Sequence, residues 1–147
     1  MYKHILVATD GSTLSLKAIR TAARLGAALK ARVTAVYVIA PFSPPMATSE
    51  AMAYGVAYSA RDYARDARKS AEKALAKAAA AAGRAKVSTV SVVHARPWEA
   101  IIATARKSKC DMIVMASHGR RGLAGLLLGS ETQKVLTHSK TPVLVCR

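Results

Sequence analysis

The sequence predicts an α/β protein built on one doubly wound, five-stranded parallel sheet with helices on both faces. Short runs rich in Val, Ile and Leu alternate with longer segments whose apolar residues recur every three or four positions, the pattern of β-α-β units. Most of these runs are apolar throughout, as strands covered on both faces must be. Right-handed crossovers then give strand order 3-2-1-4-5, provided that the chain winds outward from the first strand and reverses once.

The five predicted strands are stretches of five to eight residues, of which four are apolar and one is more polar. They span residues 5–9, 32–39, 87–93, 112–116 and 142–146. The third alternates Val with Ser and Thr, which indicates a position near an edge of the sheet. Pro142 begins the last strand, where a missing amide is tolerated. That strand lies at the other edge, and an uncovered apolar edge favours pairing with a second chain.

Each of the four predicted helices has a recognisable start. The first follows Ser12, and the second runs from about residue 59 to 82 with an alanine stripe along one side. The third begins at Pro97, which suits a first helical turn. The fourth begins at residues 130–133, where Ser-Glu-Thr-Gln predicts a capping box with Ser130 as the N-cap. The segment 41–58, which contains three prolines, is the one long predicted loop.

Length, cysteine usage and charge limit the possible functions. The 147 residues suffice for one domain, residues 1–147, and not for two ordinary ones. The sequence shows neither a signal peptide nor a run of about 20 apolar residues, so we expect a cytoplasmic protein. Cys110 and Cys146 are isolated, which predicts reduced thiols. The 23 Lys and Arg against 8 Asp and Glu give a formal charge of +15, which attracts nucleotides, nucleic acids and acidic surfaces alike.

Two loops meet where the strand order reverses, between the first and fourth strands, and ligands of such sheets bind there. The switch point comprises residues 8–12, which include Ala8, Thr9 and Asp10, and residues 115–119, which include Met115, Ala116, His118 and Gly119. The second loop is glycine-rich, carries the cation of Arg120 and ends at a helix N-terminus, which favours an anion. A polyphosphate is therefore the predicted ligand. The alternative is that the glycines only form a tight strand-to-helix turn.

Four segments, in this order along the whole chain, resemble the universal stress protein family. They are HILVATDGS at 4–12, MASHGRRG at 115–122, LLGS at 127–130 and KTPVLV at 140–145. Nucleotide-binding members of the family carry Gly-x-x-Gly, nine residues, then Gly-Ser/Thr. Gly119, Gly129 and Ser130 match this pattern, whereas Ala116 replaces the first glycine. The added methyl group is acceptable at a negative φ and damaging at a positive one.

The resemblance implies a protein that binds ATP together with Mg²⁺. In that family Ala8, Thr9 and Val38 would line the adenine pocket, and Asp10 would lie near the ribose, the base or a phosphate-bound metal. The phosphates would be held by Gly119, Gly129, Ser130 and Glu131. Thr132, in the same helical turn, also belongs to the expected nucleotide-binding set. The family also implies a homodimer formed by antiparallel pairing of the last strand, through Val143, Leu144 and Val145.

We therefore predict a stress-response regulator in which ATP occupancy alters conformation, dimer state or partner choice, with hydrolysis slow or absent. Three alternatives remain open: a partner-binding member without nucleotide, a basic protein that binds nucleic acid or acidic surfaces, and an enzyme. At the residue level, Asp10 is alternatively a helix cap or an Asx-turn. His118 is alternatively a simple loop histidine, because no nucleophile stands beside it.

Overall fold

A computed structural model of the chain describes residues 1–43, 59–119 and 128–147. The described part contains five strands and four helices, which alternate along the chain. They are β1 (His4–Ala8), α1 (Thr13–Leu29), β2 (Arg32–Ile39), α2 (Ala60–Ala81), β3 (Val87–Val93), α3 (Pro97–Lys107), β4 (Met112–Ala116), α4 (Ser130–His138) and β5 (Val143–Cys146). Most of the predicted loop at 41–58 lies outside the described residues.

The sheet has the predicted topology. Its strand order is β3-β2-β1-β4-β5, and every neighbouring pair is parallel. The predicted bounds of β2, β3 and β4 are correct. Thr9 lies just outside β1, although its amide still donates to the Val36 carbonyl at 3.0 Å. Pro142 likewise lies outside β5 and accepts a hydrogen bond from the Ile113 amide at 2.8 Å.

Helices cover both faces of the sheet and divide the core into two layers. Ile5 and Val7 pack on the side of α1 and α2, whereas Leu6 packs on the side of α3 and α4. The same alternation continues in β4, since Val114 belongs to the first layer and Ile113 to the second. All five of these side chains are fully buried. The two-sided burial explains why the central strands read as continuous apolar runs.

Three of the helix starts agree with the sequence, and the capping box at the fourth was a wrong prediction. Ser12 caps α1 through a 3.2 Å bond from the Ser15 amide, and Pro97 is the first residue of α3. At α4, however, Gly129 is the N-cap and no side chain caps the helix. The Gly129 amide donates to the Ser117 carbonyl at 2.7 Å, which holds Gly129 extended and makes Ser130 the first helical residue.

The two cysteines are free thiols in different core layers. Cys110 packs on the α3 side and Cys146 on the α1 side, and both are buried. Burial, with a smaller contribution from the charge of Asp111, raises the pKa of the Cys110 thiol to about 11. Cys110 is therefore a neutral thiol at physiological pH, with low nucleophilicity.

Candidate functional site

A cavity of about 720 Å³ opens beside the carboxyl ends of β1, β2 and β4. The structure brings to it every described residue of the predicted site, namely Ala8, Thr9, Asp10, Val38, Met115, Ala116, His118, Gly119, Gly129, Ser130, Glu131 and Thr132. Arg120, the remaining member of that set, lies outside the described residues. The described residues that the switch-point argument named thus line one cavity.

Five further residues line the cavity that the sequence analysis did not include. They are Ser15, Val36, Tyr37, Pro97 and Ile101. Pro97 begins the helix that follows β3, and every helix that follows a parallel strand starts at the same edge of the sheet. That signal was available in the sequence and would have found Pro97. Ile101 follows one turn later, on the inward side of the same helix.

A hydroxyl network holds the turn between β1 and α1. The hydroxyls of Thr9 and Ser15 lie 2.9 Å apart, and both residues are buried. Because the Ser15 hydroxyl donates to the Ser12 carbonyl at 2.9 Å, the Thr9 hydroxyl supplies the proton between them. The Gly11 amide in turn donates to the Thr9 hydroxyl at 3.1 Å. Gly11 has a φ of 78°, which other residues rarely adopt, so this turn requires glycine.

The Asp10 carboxylate lies between the two loops of the switch point. Its Oδ1 accepts a 2.9 Å hydrogen bond from the Ser12 amide, which is the Asx-turn alternative of the sequence analysis. Its Oδ2 lies against Gly119, where an added Cβ would approach this oxygen to 2.9 Å. The glycine at 119 therefore allows the end of β4 to come close to the carboxylate. The Asx-turn fixes the carboxylate and leaves it within the wall of the cavity.

His118 follows β4 and lines the cavity beside Gly119. Its Nδ1 lies 3.1 Å from the hydroxyl of the buried Ser117. Its Nε2 is buried and has no hydrogen-bond partner within the described part of the chain. A buried ring nitrogen without a partner is unfavourable, so this atom is a candidate for contact with a polar ligand atom.

The N-terminus of α4 forms the polar wall of the cavity. Gly129, Ser130, Glu131 and Thr132 all line it, and the first turn has no side-chain cap. An added Cβ at Gly129 would lie 3.1 Å from the Ser117 carbonyl oxygen and 3.3 Å from the His118 Cα. Both are backbone atoms and cannot move aside alone. Uncapped amides at the positive end of a helix dipole are well suited to an anion.

Glu131 and Thr132 have structural bonds that the sequence did not predict. The Glu131 carboxylate accepts a 2.9 Å bond from the Trp98 amide in the first turn of α3, and it pairs with Lys134 at 3.1 Å. The buried Thr132 hydroxyl donates to the Ala116 carbonyl at 2.9 Å. These bonds lock α4 against α3 and the end of β4. The part of Glu131 suited to an anion is therefore its backbone amide, since its carboxylate would repel one.

The opposite wall of the cavity is apolar. It is formed by Val36 and Val38 of β2, Ile101 of α3 and Met115 of β4. The cavity therefore combines an apolar side, suited to a flat ring, with an uncapped helix N-terminus, suited to an anion. Among the described residues, no cluster of three or more His, Cys, Asp or Glu side chains is placed to hold a metal ion.

The fold and the cavity define a doubly wound α/β protein with a cavity at the topological switch point. The sequence model of the universal stress protein family matches residues 1–147, so the chain belongs to the universal stress protein family. Universal stress protein MJ0531 of Methanocaldococcus jannaschii is 32% identical over 149 residues, which cover 100% of this chain and 83% of that protein.

Solved structures show the same architecture. Hypothetical protein MJ0577, whose structure was used to assign its biochemical function, superposes with a TM-score of 0.77 at 28% identity and covers 99% of this chain and 96% of its own. A universal stress protein crystallised in complex with cAMP superposes with a TM-score of 0.64 at 30% identity, over 98% of this chain and 95% of its own. None of the helices in the described part of this chain combines the length and hydropathy that a membrane-spanning segment requires.

Proposed function

We propose that this protein binds ATP, or a closely similar adenine nucleotide, in the cavity between β1 and β4. The observation that carries the proposal is the uncapped N-terminus of α4, which faces the same cavity as an apolar wall from β2 and α3. The related structure with cAMP supports the adenine class, because cAMP joins an adenine ring to a phosphate. In this protein the ring would lie toward Ala8, Thr9 and Val38.

The phosphates would be held by backbone amides of the first turn of α4. Gly129 supports this assignment, because a Cβ there would press on the backbone at Ser117 and His118. Ser130 adds its amide and hydroxyl at the first helical position, where an anion gains from the helix dipole. His118 lines the same cavity, and its Nε2, which has no hydrogen-bond partner within the described part of the chain, would supply a further polar contact. This donor set fits a polyphosphate.

Mg²⁺ would accompany the nucleotide and depend mainly on it. Asp10 and Glu131 are the two carboxylates among the lining residues, and that of Glu131 is already bonded to Trp98 and Lys134. We propose Asp10 as the protein group that contacts Mg²⁺, since it lies between the two loops of the switch point, and Mg²⁺ usually takes one or two carboxylates together with phosphate oxygens and water. Asp10 is also fixed by its Asx-turn. We also propose that hydrolysis is slow or absent, because Asp10 and His118 are the only general-base candidates that remain among the described lining residues once Glu131 is ion-paired.

We further propose that nucleotide occupancy regulates the protein's conformation or its partners in the cytoplasm. The cavity joins elements from both helical layers, since Ser15 of α1 lines it together with Ile101 of α3 and Ser130 of α4. A ligand at this junction would change how these elements pack. We also propose that β5, an edge strand with partly exposed Val143, Leu144 and Val145, pairs with β5 of a second copy.

Calorimetric titration of nucleotide-stripped protein with Mg-ATP tests the proposal. We expect one saturable site per chain whose affinity survives an increase in salt from about 0.1 to about 0.5 M, because contacts within a partly buried site are weakly screened. Gly129→Val should weaken binding by about tenfold or more, since the valine displaces the first turn of α4. Gly119→Ala, which presses on Asp10, is a milder second variant.

Ala79→Val is the matched control, because Ala79 is exposed on α2 and remote from the cavity lining. It should leave the affinity unchanged. Absence of binding, or weak binding that disappears in high salt and is equal in all variants, would overturn the nucleotide proposal. The protein would then be a partner-binding member of the family.

A further inference from the structure

The positive charge of the protein is divided unequally between its two helical layers. Helices α1 and α2 together carry nine Lys or Arg residues and three acidic residues. Helices α3 and α4 together carry only three Lys or Arg residues and two acidic residues. All nine cationic side chains on α1 and α2 are exposed. Both helices pack on the same face of the sheet, and they contact each other. We call the exposed Lys and Arg side chains of these two helices the basic face.

Helix α1 contributes one continuous cationic stripe. Lys17, Arg20 and Arg24 follow one another at three- and four-residue spacing, so they project from the same side of the helix. No Asp or Glu occurs in α1, and within the described residues none of these three side chains forms an ion pair. The stripe is therefore uncompensated positive charge.

Helix α2 contributes a row of cations spaced by four residues. Arg61, Arg65, Lys69, Lys73 and Lys77 run along the side opposite the buried alanines that face the sheet. At a rise of 1.5 Å per residue, the row is about 24 Å long. Arg65 is compensated, because it pairs with acidic side chains at 3.0 and 3.1 Å. For the other four, no ion pair is formed with any described residue.

Such a row opposes the stability of the helix that carries it. Like charges four residues apart on a helix repel each other and destabilise it. The core does not require them, because the residues of α2 that pack into it are alanines and Leu75. A face of uncompensated cations that is unfavourable for folding points to an anionic partner that neutralises it.

The surroundings of the basic face distinguish between anionic partners. The large, exposed apolar side chains of the described chain are Met1, Val93 and Leu136, and none of them lies on α1 or α2. The face therefore lacks the apolar anchors by which surface helices enter a membrane. The one aromatic residue of the two helices, Tyr63, packs on Phe42 and donates its hydroxyl to the Ala40 carbonyl at 2.8 Å. It is not available to stack on unpaired bases, as single-strand binding requires.

We propose that the basic face binds the phosphate backbone of double-stranded nucleic acid without reading its sequence. The row on α2 matches about seven base pairs in length, at the 3.4 Å spacing of phosphates along one strand of a duplex. Exposed Arg and Lys with no exposed apolar anchor and no available aromatic ring among the described residues of these helices provide backbone contacts and no means of base recognition. None of these residues lines the nucleotide cavity, so this inference is independent of the function proposed above.

Fluorescence anisotropy with labelled 24-base-pair duplexes tests the proposal. The full chain is titrated onto a DNA duplex, a duplex of unrelated sequence, and an RNA duplex of the first sequence. We expect the two DNA duplexes to bind equally, with affinity falling by roughly 10² to 10³ between 50 and 200 mM salt, as for about five neutralised phosphates. The RNA duplex shows whether the phosphate geometry of A-form helices is also accepted.

Two triple variants of equal net charge locate the interaction. Lys69→Gln, Lys73→Gln and Lys77→Gln remove three cations from the basic face. Arg106→Gln, Lys107→Gln and Lys140→Gln remove three from elsewhere on the surface. The slope of the logarithm of the binding constant against the logarithm of the salt concentration should become less steep by about three in the first set. The second set should leave this slope nearly unchanged. Thermal unfolding checks the fold, and the first set should be no less stable because it relieves like-charge repulsion.

Three results would overturn the proposal. The first is no duplex binding at 50 mM salt, and the second is equal weakening by both triple variants, which would show that net charge alone drives binding. The third is binding to vesicles of phosphatidylserine and phosphatidylcholine in preference to the duplex, which would make the face a membrane-surface site. Mg-ATP titration of the same samples reports separately on the cavity, so failure here does not bear on the nucleotide site.

Discussion

Ala116 replaces the first glycine of the family's nucleotide-binding pattern, and the structure explains why the replacement can be accommodated. Ala116 ends β4 and is absent from the positive-φ residues of the described chain. It is buried within the core layer on the α1 side, and its carbonyl accepts the hydroxyl of Thr132. Its methyl group thus packs in the core, and its carbonyl is already occupied by a structural bond.

Replacing Ala116 by glycine tests whether the methyl group obstructs the cavity. We expect Ala116→Gly to change Mg-ATP affinity by less than about threefold while lowering the stability of the fold by about 0.5–1 kcal/mol, since glycine weakens a strand interior. Calorimetric titration and urea unfolding measure the two effects. An affinity gain of tenfold or more would show instead that the alanine is a real obstruction.

The roles of individual site residues were harder to predict than their positions. The switch-point rule depends only on strand order, so it placed Asp10 and Gly119 at one edge from pattern alone. It could not assign the Glu131 carboxylate to the Trp98 amide, because that bond joins residues of two different helices, and the two residues are 33 positions apart in sequence. The Thr132 hydroxyl poses the same problem, since its acceptor is a carbonyl in β4. Such partners depend on tertiary packing, which local patterns do not contain.

At the scale of the element, α4 shows how a local signal fails. Residues 130–133 match the capping-box pattern, yet the cap is one residue earlier. A long-range bond from the Gly129 amide to the Ser117 carbonyl determines where the helix begins. By contrast, β2 and β4 were predicted with correct bounds because burial on the sheet determines where an apolar run begins and ends. The bounds of β3, an edge strand whose residues are all at least partly exposed, were predicted from its alternating Val residues. The limits of an element can be predicted from the sequence where burial determines them. They cannot be predicted where a single distant hydrogen bond determines them.

Asp111 ties the start of β4 to the start of β1, and its stabilisation depends on pH. Its carboxylate accepts the amides of Lys3 at 2.7 Å and His4 at 3.0 Å. Burial raises the pKa of this carboxyl, but the hydrogen bonds from the His4 and Lys3 amides outweigh it and lower the pKa below the ordinary 3.8. A depressed folded pKa stabilises the fold fully above the unfolded value. This stabilisation disappears as the pH falls through the lower folded value.

We therefore expect Asp111→Asn to lower the free energy of unfolding at pH 7 by about 1 kcal/mol, because a neutral amide is a weaker acceptor for the two N–H groups. The difference from the parent protein should shrink as the pH falls below about 3.8. Urea unfolding at pH 7 and pH 3 measures both effects. Glu72→Gln, an exposed change of equal charge on α2, is the control. A deficit that is the same at both pH values would contradict the linkage.

At the scale of the whole molecule, strand order and the division into two helical layers followed from the sequence, but the distribution of charge did not. The formal net charge of +15 was evident from the composition, but the cationic residues are scattered along the chain singly and in pairs. Only folding places Lys17, Arg20 and Arg24 in the same helical layer as the cationic row of α2, because β2 and a long connection separate the two helices in sequence. The basic face is thus a property of topology, in the same sense as the cavity.

The two edges of the sheet allow the proposed dimer to be tested by matched substitutions. Both β3 and β5 are edge strands, with Val93 exposed at the end of one and Val145 partly exposed in the other. Val145→Lys would place like charges on paired strands, which destabilises antiparallel pairing, so we expect the dimer dissociation constant to rise by about tenfold or more. Val93→Lys adds the same charge to the opposite edge and should leave the dimer dissociation constant unchanged.

Light scattering across a dilution series from on the order of 100 to 1 µM measures the dissociation constant of both variants. Dissociation by Val93→Lys instead would place the interface at β3, and a parent protein that is monomeric throughout the series would contradict dimerisation by either edge.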